Sequence, residues 1–173
     1  MDEIEELARY EDFRQEVRAW CKATVPPDWR EKQRGADHDR LITFQRWWRD
    51  QIAAAGYLVP HWPKEWGGSA LSLAEQVILF EELARGDAPR LAITQVALYN
   101  AAPAIIHTGT PEQKQRFLPG MLAGELWCQG FSEPNAGSDL ASLQTRAIRD
   151  GEHYVLAACL RGHATGRFGL DER

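Results

Sequence analysis

The stretch Trp127-Cys128-Gln129-Gly130-Phe131-Ser132-Glu133-Pro134-Asn135-Ala136-Gly137-Ser138-Asp139 divides the chain into two kinds of sequence. An apolar, strand-like run over residues 126–131 delivers small polar residues into a tight turn. Pro134, Asn135 and Gly137 set fixed or positive φ there and stop helix and strand alike. Ser132 and Ser138 stand on the two rims. Such a turn offers several backbone N–H groups and two hydroxyls in one place. That inventory suits an anion or the polar edge of a flat heterocycle without a charged side chain. An ordinary polar connection between two strands would use the same residue types.

Before this stretch the sequence reads as helices. Ile4, Leu7, Tyr10, Phe13, Val17 and Trp20 recur at steps of three and four, predicting a helix over residues 2–22 that Pro26-Pro27 ends. Residues 28–36 read as a polar loop. Leu41, Phe44, Trp48, Ile52 and Ala55 mark the buried stripe of a second helix over residues 39–55, with Gly56 as its stop. Residues 58–70 form a loop whose Trp62 and Trp66 are expected to fold back onto the core. Ser72 and Glu75 make a capping box for a helix running to Arg85, apolar around most of its circumference and so expected at the centre of the core. Gly86 and Pro89 are its expected breakers. Residues 90–107 read as one helix kinked or broken near Asn100 to Pro103. Thr110, Pro111 and Gln113 cap a short helix to Phe117, ended by Leu118-Pro119-Gly120.

After Gly124 the periodicity changes. Residues 127–131, 143–148 and 154–157 read as strands, the last two joined at Asp150-Gly151. The expected organisation is a helical domain over residues 1–124, a partial β domain over 125–160, and a tail over 161–173.

Several motifs, in order and spacing, resemble the acyl-CoA dehydrogenase family. They are Pro60 to Ala70 (PHWPKEWGGSA), Glu81-Glu82-Leu83-Ala84-Arg85, Thr110-Pro111-Glu112-Gln113-Lys114, Leu118-Pro119, Gly124-Glu125 and the 127–139 stretch itself. The last is similar to the family's first flavin-binding signature, and the likeness runs from about Phe44 to Val155. The resemblance implies a mainly α fold: an N-terminal helical domain of acyl-CoA dehydrogenase type followed by an incomplete β-barrel domain. It implies FAD as cofactor, with Gln129, Phe131 and Ser132 along the flavin ring. Gly137 and Ser138 would approach the pyrophosphate, and Ser138 would also border the substrate's pantetheine. Glu133 and Asp139 read as acceptors that brace the turn rather than as bases.

The activity implied is α,β-dehydrogenation of an acyl-CoA thioester, in which a carboxylate takes the α proton and the β hydrogen passes as hydride to the flavin. Electron-transfer flavoprotein as electron acceptor and a homo-oligomer belong to the complete family; an oxygen-using oxidase is the variant left open. No residue of this chain matches the family's catalytic base. After Val155 the likeness stops, where the family continues with a Trp-x-Ser/Thr strand and a further helical domain. The expectation is a truncated chain, inactive in isolation, with a frameshift after Val155 as the simplest origin and a natural short homologue as the other. The alternative function is a non-catalytic helical interaction module derived from the family.

The remaining signals are bounds. The chain has 173 residues, 44% hydrophobic and 26% charged, and a net charge of −5. That balance is ordinary for a soluble protein and argues against a nucleic-acid surface. No run is long enough to span a membrane, and the acidic start Met1-Asp2-Glu3-Ile4-Glu5-Glu6 is unlike a targeting peptide, so a cytoplasmic location is expected. Cys21, Cys128 and Cys159 lie far apart, and the five histidines lack ligand spacing; no metal site is expected.

Overall fold

The computed structural model describes residues 3–157 and 161–162. It is mainly helical, and its contacts divide into two units, Met1–Glu125 and Leu126–Arg173.

In the first unit, α1 (Glu3–Thr24) packs against α4 (Leu73–Arg85). Val17 and Cys21 are buried, whereas Ile4 and Leu7 of the same apolar stripe are exposed. The helix α3 (His38–Ala54) starts on an Asp37 cap and buries Trp48 and Ile52. Both groups of the Ser72–Glu75 capping box engage. One expectation for α4 fails: it is not buried all round. Ile78, Leu79 and Glu82 face the core, while Leu73, Val77 and Phe80, spaced as a second stripe, are exposed.

Glu82 is 1% exposed and is held by two arginines of α1. Arg18 donates from Nε and Nη2 at 2.8 and 3.0 Å, and Arg14 from Nη1 at 2.9 Å. The Arg18 hydrogen bonds pull the Glu82 carboxyl down to about 2, against a desolvation that pushes the other way.

Where α4 ends, the left-handed residue is Asp87 (φ 52°), not Gly86. A Cβ on Gly86 would meet Cys21 Cβ at 2.8 Å, so this glycine serves close helix approach. Residues 28–36, read as a loop, contain the short helix α2 (Trp29–Gln33). No side chain caps it; tertiary contacts hold it, with Trp29 Nε1 donating to Asp87 O at 2.8 Å and Arg30 pairing with the Asp87 carboxylate.

Residues 90–94 are not helical, and the break expected near Asn100 to Pro103 falls between Ala101 and Ala102. A widened π turn over Val96–Ala101 runs directly into α5 (Ala102–Thr108). The reason is Pro103. In the widened register the Ala102 N–H bonds Ala97 O, so the Leu98 carbonyl would need the N–H that proline lacks. Trp62 supplies the missing donor, its buried indole Nε1 lying 3.2 Å from Leu98 O. The loop tryptophan thus folds back onto the core, as expected.

Helix α6 (Pro111–Leu122) begins on the Thr110–Gln113 box but passes through Pro119 instead of stopping there. Pro119 forfeits one backbone bond, while Leu118 and Met121 on either side are buried. The helix closes at Gly124 (φ 99°), with Glu125 N bonded to Gly120 O and Gly124 N to Met121 O.

The second unit holds two small antiparallel pairings, β1 (Gly130–Ser132) with β4 (Arg161–Gly162), and β2 (Arg146–Asp150) with β3 (His153–Ala157). The first strand is shorter than the predicted 127–131 because a strand is defined by its ladder, and β4 supplies only two partners. Arg161–Gly162 pairs within the stretch that the sequence assigns to the tail. The hairpin turn falls at Gly151 (φ 61°), as read from Asp150-Gly151. Ile148, Tyr154 and Val155 of the hairpin are exposed.

Candidate functional site

Residues 129–145 fold around one carboxylate. The turn Glu133–Ala136 closes by two backbone bonds, Glu133 N to Ala136 O at 3.0 Å and Ala136 N to Glu133 O at 3.3 Å. Glu133 itself is 8% exposed, and its side chain reaches forward. It accepts from Gln144 N at 2.9 Å, Thr145 N at 2.5 Å and the Thr145 hydroxyl. The Thr145 hydroxyl and then the Gln144 amide hold this carboxyl below the usual range. Asp139 Oδ1 accepts from Ala141 N at 3.1 Å and caps a single 3-10 turn, Leu140–Ser142. Ser142 Oγ lies 3.2 Å from Asn135 O and 3.1 Å from Asp139 O. Both acids are therefore acceptors that brace the turn.

The candidate binding residues lie along this frame. Gln129 is half-buried just ahead of β1, and Ser132 is half-buried at its end. Phe131 belongs to β1 by its backbone; its side chain lies outside the described part. Gly137 and Ser138 form an exposed bend after the turn. The expected positive φ at Asn135 or Gly137 is absent. Two backbone bonds and the Glu133 clasp close the turn without a left-handed residue. Gly137 is therefore not required by its own conformation, and a Cβ built there meets nothing within 4 Å. Among the described residues, no hydrogen bond engages the Ser138 hydroxyl or the N–H groups of Gly137 and Ser138. An open glycine beside exposed donors fits an anionic group approaching from outside the chain.

Sequence reasoning placed the turn but not its fastening. The Glu133 contacts span eleven and twelve residues, and no local pattern announces them. Among the described residues no cluster of His, Cys, Asp and Glu could hold a metal ion, and no helix is long and apolar enough to cross a membrane.

Residues 8–125 match the family model described as "Acyl-CoA dehydrogenase, N-terminal domain". The chain belongs to the acyl-CoA dehydrogenase family. It is 40% identical over 151 residues to the acyl-CoA dehydrogenase IpdE1 of Mycobacterium tuberculosis, covering 84% of this chain and 39% of that protein. It thus spans about two-fifths of that relative's length. The solved ChsE4-ChsE5 complex of Mycobacterium tuberculosis superposes with a TM-score of 0.67 at 36% identity, over 87% of this chain and 37% of the other. A glutaryl-CoA dehydrogenase of Mycobacterium smegmatis in complex with FADH2 shares the fold, with a TM-score of 0.61 at 23% identity, over 90% and 38% of the two chains.

Proposed function

We propose that this chain supplies the N-terminal helical domain and the first part of the flavin cradle of an FAD-dependent acyl-CoA dehydrogenase, and that by itself it does not turn over an acyl-CoA thioester. The observation that carries the reading is the Gly137–Ser138 bend, open and lined with donors, at the point where the family's flavin signature falls. In this reading residues 1–124 are the helical domain, 125–160 open the β domain and 161–173 lie outside the family pattern.

Gly137 and Ser138 would hold the FAD pyrophosphate through their N–H groups and the Ser138 hydroxyl. Ser132 would donate to the pyrimidine edge of the ring, with Gln129 and Phe131 alongside, and Ser138 would border the pantetheine of acyl-CoA. Bound FAD supplies the hydride acceptor. What these residues do is orient and donate hydrogen bonds; Glu133 and Asp139 brace the backbone, and this reading gives neither the role of base. Assembly with a further acyl-CoA dehydrogenase-type subunit, and electron-transfer flavoprotein as the electron acceptor, belong to the same reading. The ChsE4-ChsE5 neighbour is itself a complex.

Titrating FAD into the 173-residue chain and following flavin fluorescence tests this. Saturable binding is expected, weakened roughly fivefold by Ser138→Ala through loss of about 1 kcal/mol of hydrogen bonding. No reduction of a dye acceptor is expected when acyl-CoA is added. A well-folded chain that takes up no FAD overturns the flavin reading and leaves the non-catalytic helical module.

A further inference from the structure

Six aromatic side chains of the helical unit stand in one unbroken file. From Tyr57 the order is Trp20, Trp48, Trp47, Phe44 and Trp29. Successive ring centroids are 5.4, 5.7, 6.0, 5.5 and 6.0 Å apart. The first four members, one phenol and three indoles, are oxidisable and adjacent, and Phe44 separates them from a further indole, Trp29. Tyr57 and Trp48 are buried, whereas Trp47 is 38% exposed, so the file runs from the interior to water.

The Tyr57 end borders a cleft open to water, on which Phe80 and Ala84 are exposed. Tyr57 lines a cavity of about 470 Å³ together with Phe80, Leu83, Ala84 and Tyr99. The Tyr57 hydroxyl donates to Glu16 Oε1 at 3.1 Å. This second feature matters chemically: a phenol that loses an electron becomes a strong acid, so its oxidation is easy only where a base waits for the proton. Packing alone asks aromatic rings to touch. It does not ask that four oxidisable rings stand side by side, nor that the phenol among them carry a proton acceptor.

We propose that this file is a relay for oxidising equivalents, carrying them from the cleft at Tyr57 through the buried Trp48 to Trp47. A strong one-electron oxidant in the cavity, of the carbonate-radical or photo-oxidised metal-complex class, takes one electron from Tyr57, and the phenolic proton passes to the Glu16 carboxylate. Trp20 then gives an electron to the tyrosyl radical, which recovers its proton from Glu16. Trp48 refills Trp20, and Trp47 refills Trp48. The indole N–H proton of oxidised Trp47 leaves to water. The net change is one electron moved from Trp47 to the oxidant and one proton released, with the cavity wall left intact. Electron tunnelling falls off exponentially with the gap between rings, so contact-distance steps outrun a single jump across the whole file.

The test places the oxidant on the cleft that Tyr57 lines. Ala84→Cys, which lines the cavity, is made in a Cys128→Ser, Cys159→Ser background and labelled with a ruthenium tris-bipyridyl complex. Cys21 is buried, with its thiol pushed up to about 11 by desolvation, and stays unlabelled. Flash oxidation with a cobalt(III) ammine acceptor should give a tryptophan-radical absorbance and, on peptide mapping, oxygen adducts concentrated on Trp47. Trp48→Phe and, separately, Trp20→Phe keep a ring in place but remove a stepping stone. In each, the Trp47 adduct should be lost and the damage held back at residues before the cut. Equal Trp47 oxidation in the parent and both cut variants, or a parent with no Trp47 adduct, overturns the relay.

Discussion

Gly68 and Gly137 illustrate how differently the two units are built. A Cβ on Gly68 would sit 2.1 Å from Trp62 O and 2.3 Å from Trp62 Cβ; one on Gly137 would touch nothing. The first glycine is demanded by the chain's own interior, where Trp62 is wholly buried. The second is demanded by no neighbour or backbone angle described here. In the helical unit, buried groups join segments far apart in sequence, as Glu82 does with Arg14 and Arg18. Among the described residues of the second unit, a carboxylate folded onto Gln144 and Thr145 fastens the turn, and much of the surrounding apolar surface is open. Residues needed for folding and residues available for binding can be told apart by what surrounds them.

The contrast can be broken or sharpened by three substitutions. Gly68→Ala should have the largest effect, destabilising the helical unit by about 3 kcal/mol because backbone must move to admit the methyl group. Chemical denaturation followed by tryptophan fluorescence would read it, and an unchanged midpoint would mean that the loop accommodates freely.

Glu82→Gln should come next, at about 2 kcal/mol, a figure reduced because its arginine partners are part-exposed. Its pH signature is specific. The Glu82 carboxyl is lowered from 4.5 to about 2 in the fold, so its contribution is complete above the unfolded value and fades as pH falls from 4.5 towards 2. In Glu82→Gln the acid limb of the stability curve should flatten across that window while the neutral-pH stability is lower. Parallel acid limbs would dissociate the clasp from acid unfolding.

The smallest effect on stability belongs to Gly137→Ala, expected within about 0.5 kcal/mol of the parent. A larger loss would show that the bend is constrained by the chain itself. If stability is kept and FAD affinity falls, the glycine is there for the ligand.

Much of the helical unit was legible because its signals are local. Ser72 with Glu75 and Thr110 with Gln113 lie three residues apart, and both boxes form as the spacing says. Apolar periodicity found the helices, but it could not say which apolar stripe would be covered, and α4 shows the cost of that gap: Val77 and Phe80 look like core and are exposed. What escaped was tertiary. Five residues of α2 exist because Asp87 receives Trp29 and Arg30. Pro119 is tolerated because buried neighbours outweigh one lost bond, and the widened turn before Pro103 needs a donor from a distant loop. At the candidate site, the serine-rimmed turn could be read from glycine, proline and serine alone. The clasp that shapes it could not, since a glutamate does not declare which amides will approach it.

The indole bridge from Trp62 to Leu98 joins two segments that the Tyr99 hydroxyl also links by donating to Leu58 O. Swinging the 58–70 loop outward would strand a carbonyl in a dry interior, and straightening the widened turn would need a hydrogen that Pro103 cannot provide. Neither piece can rearrange alone: evolution or engineering that alters the proline must alter the tryptophan in step, and a change in one should appear as covariation with the other.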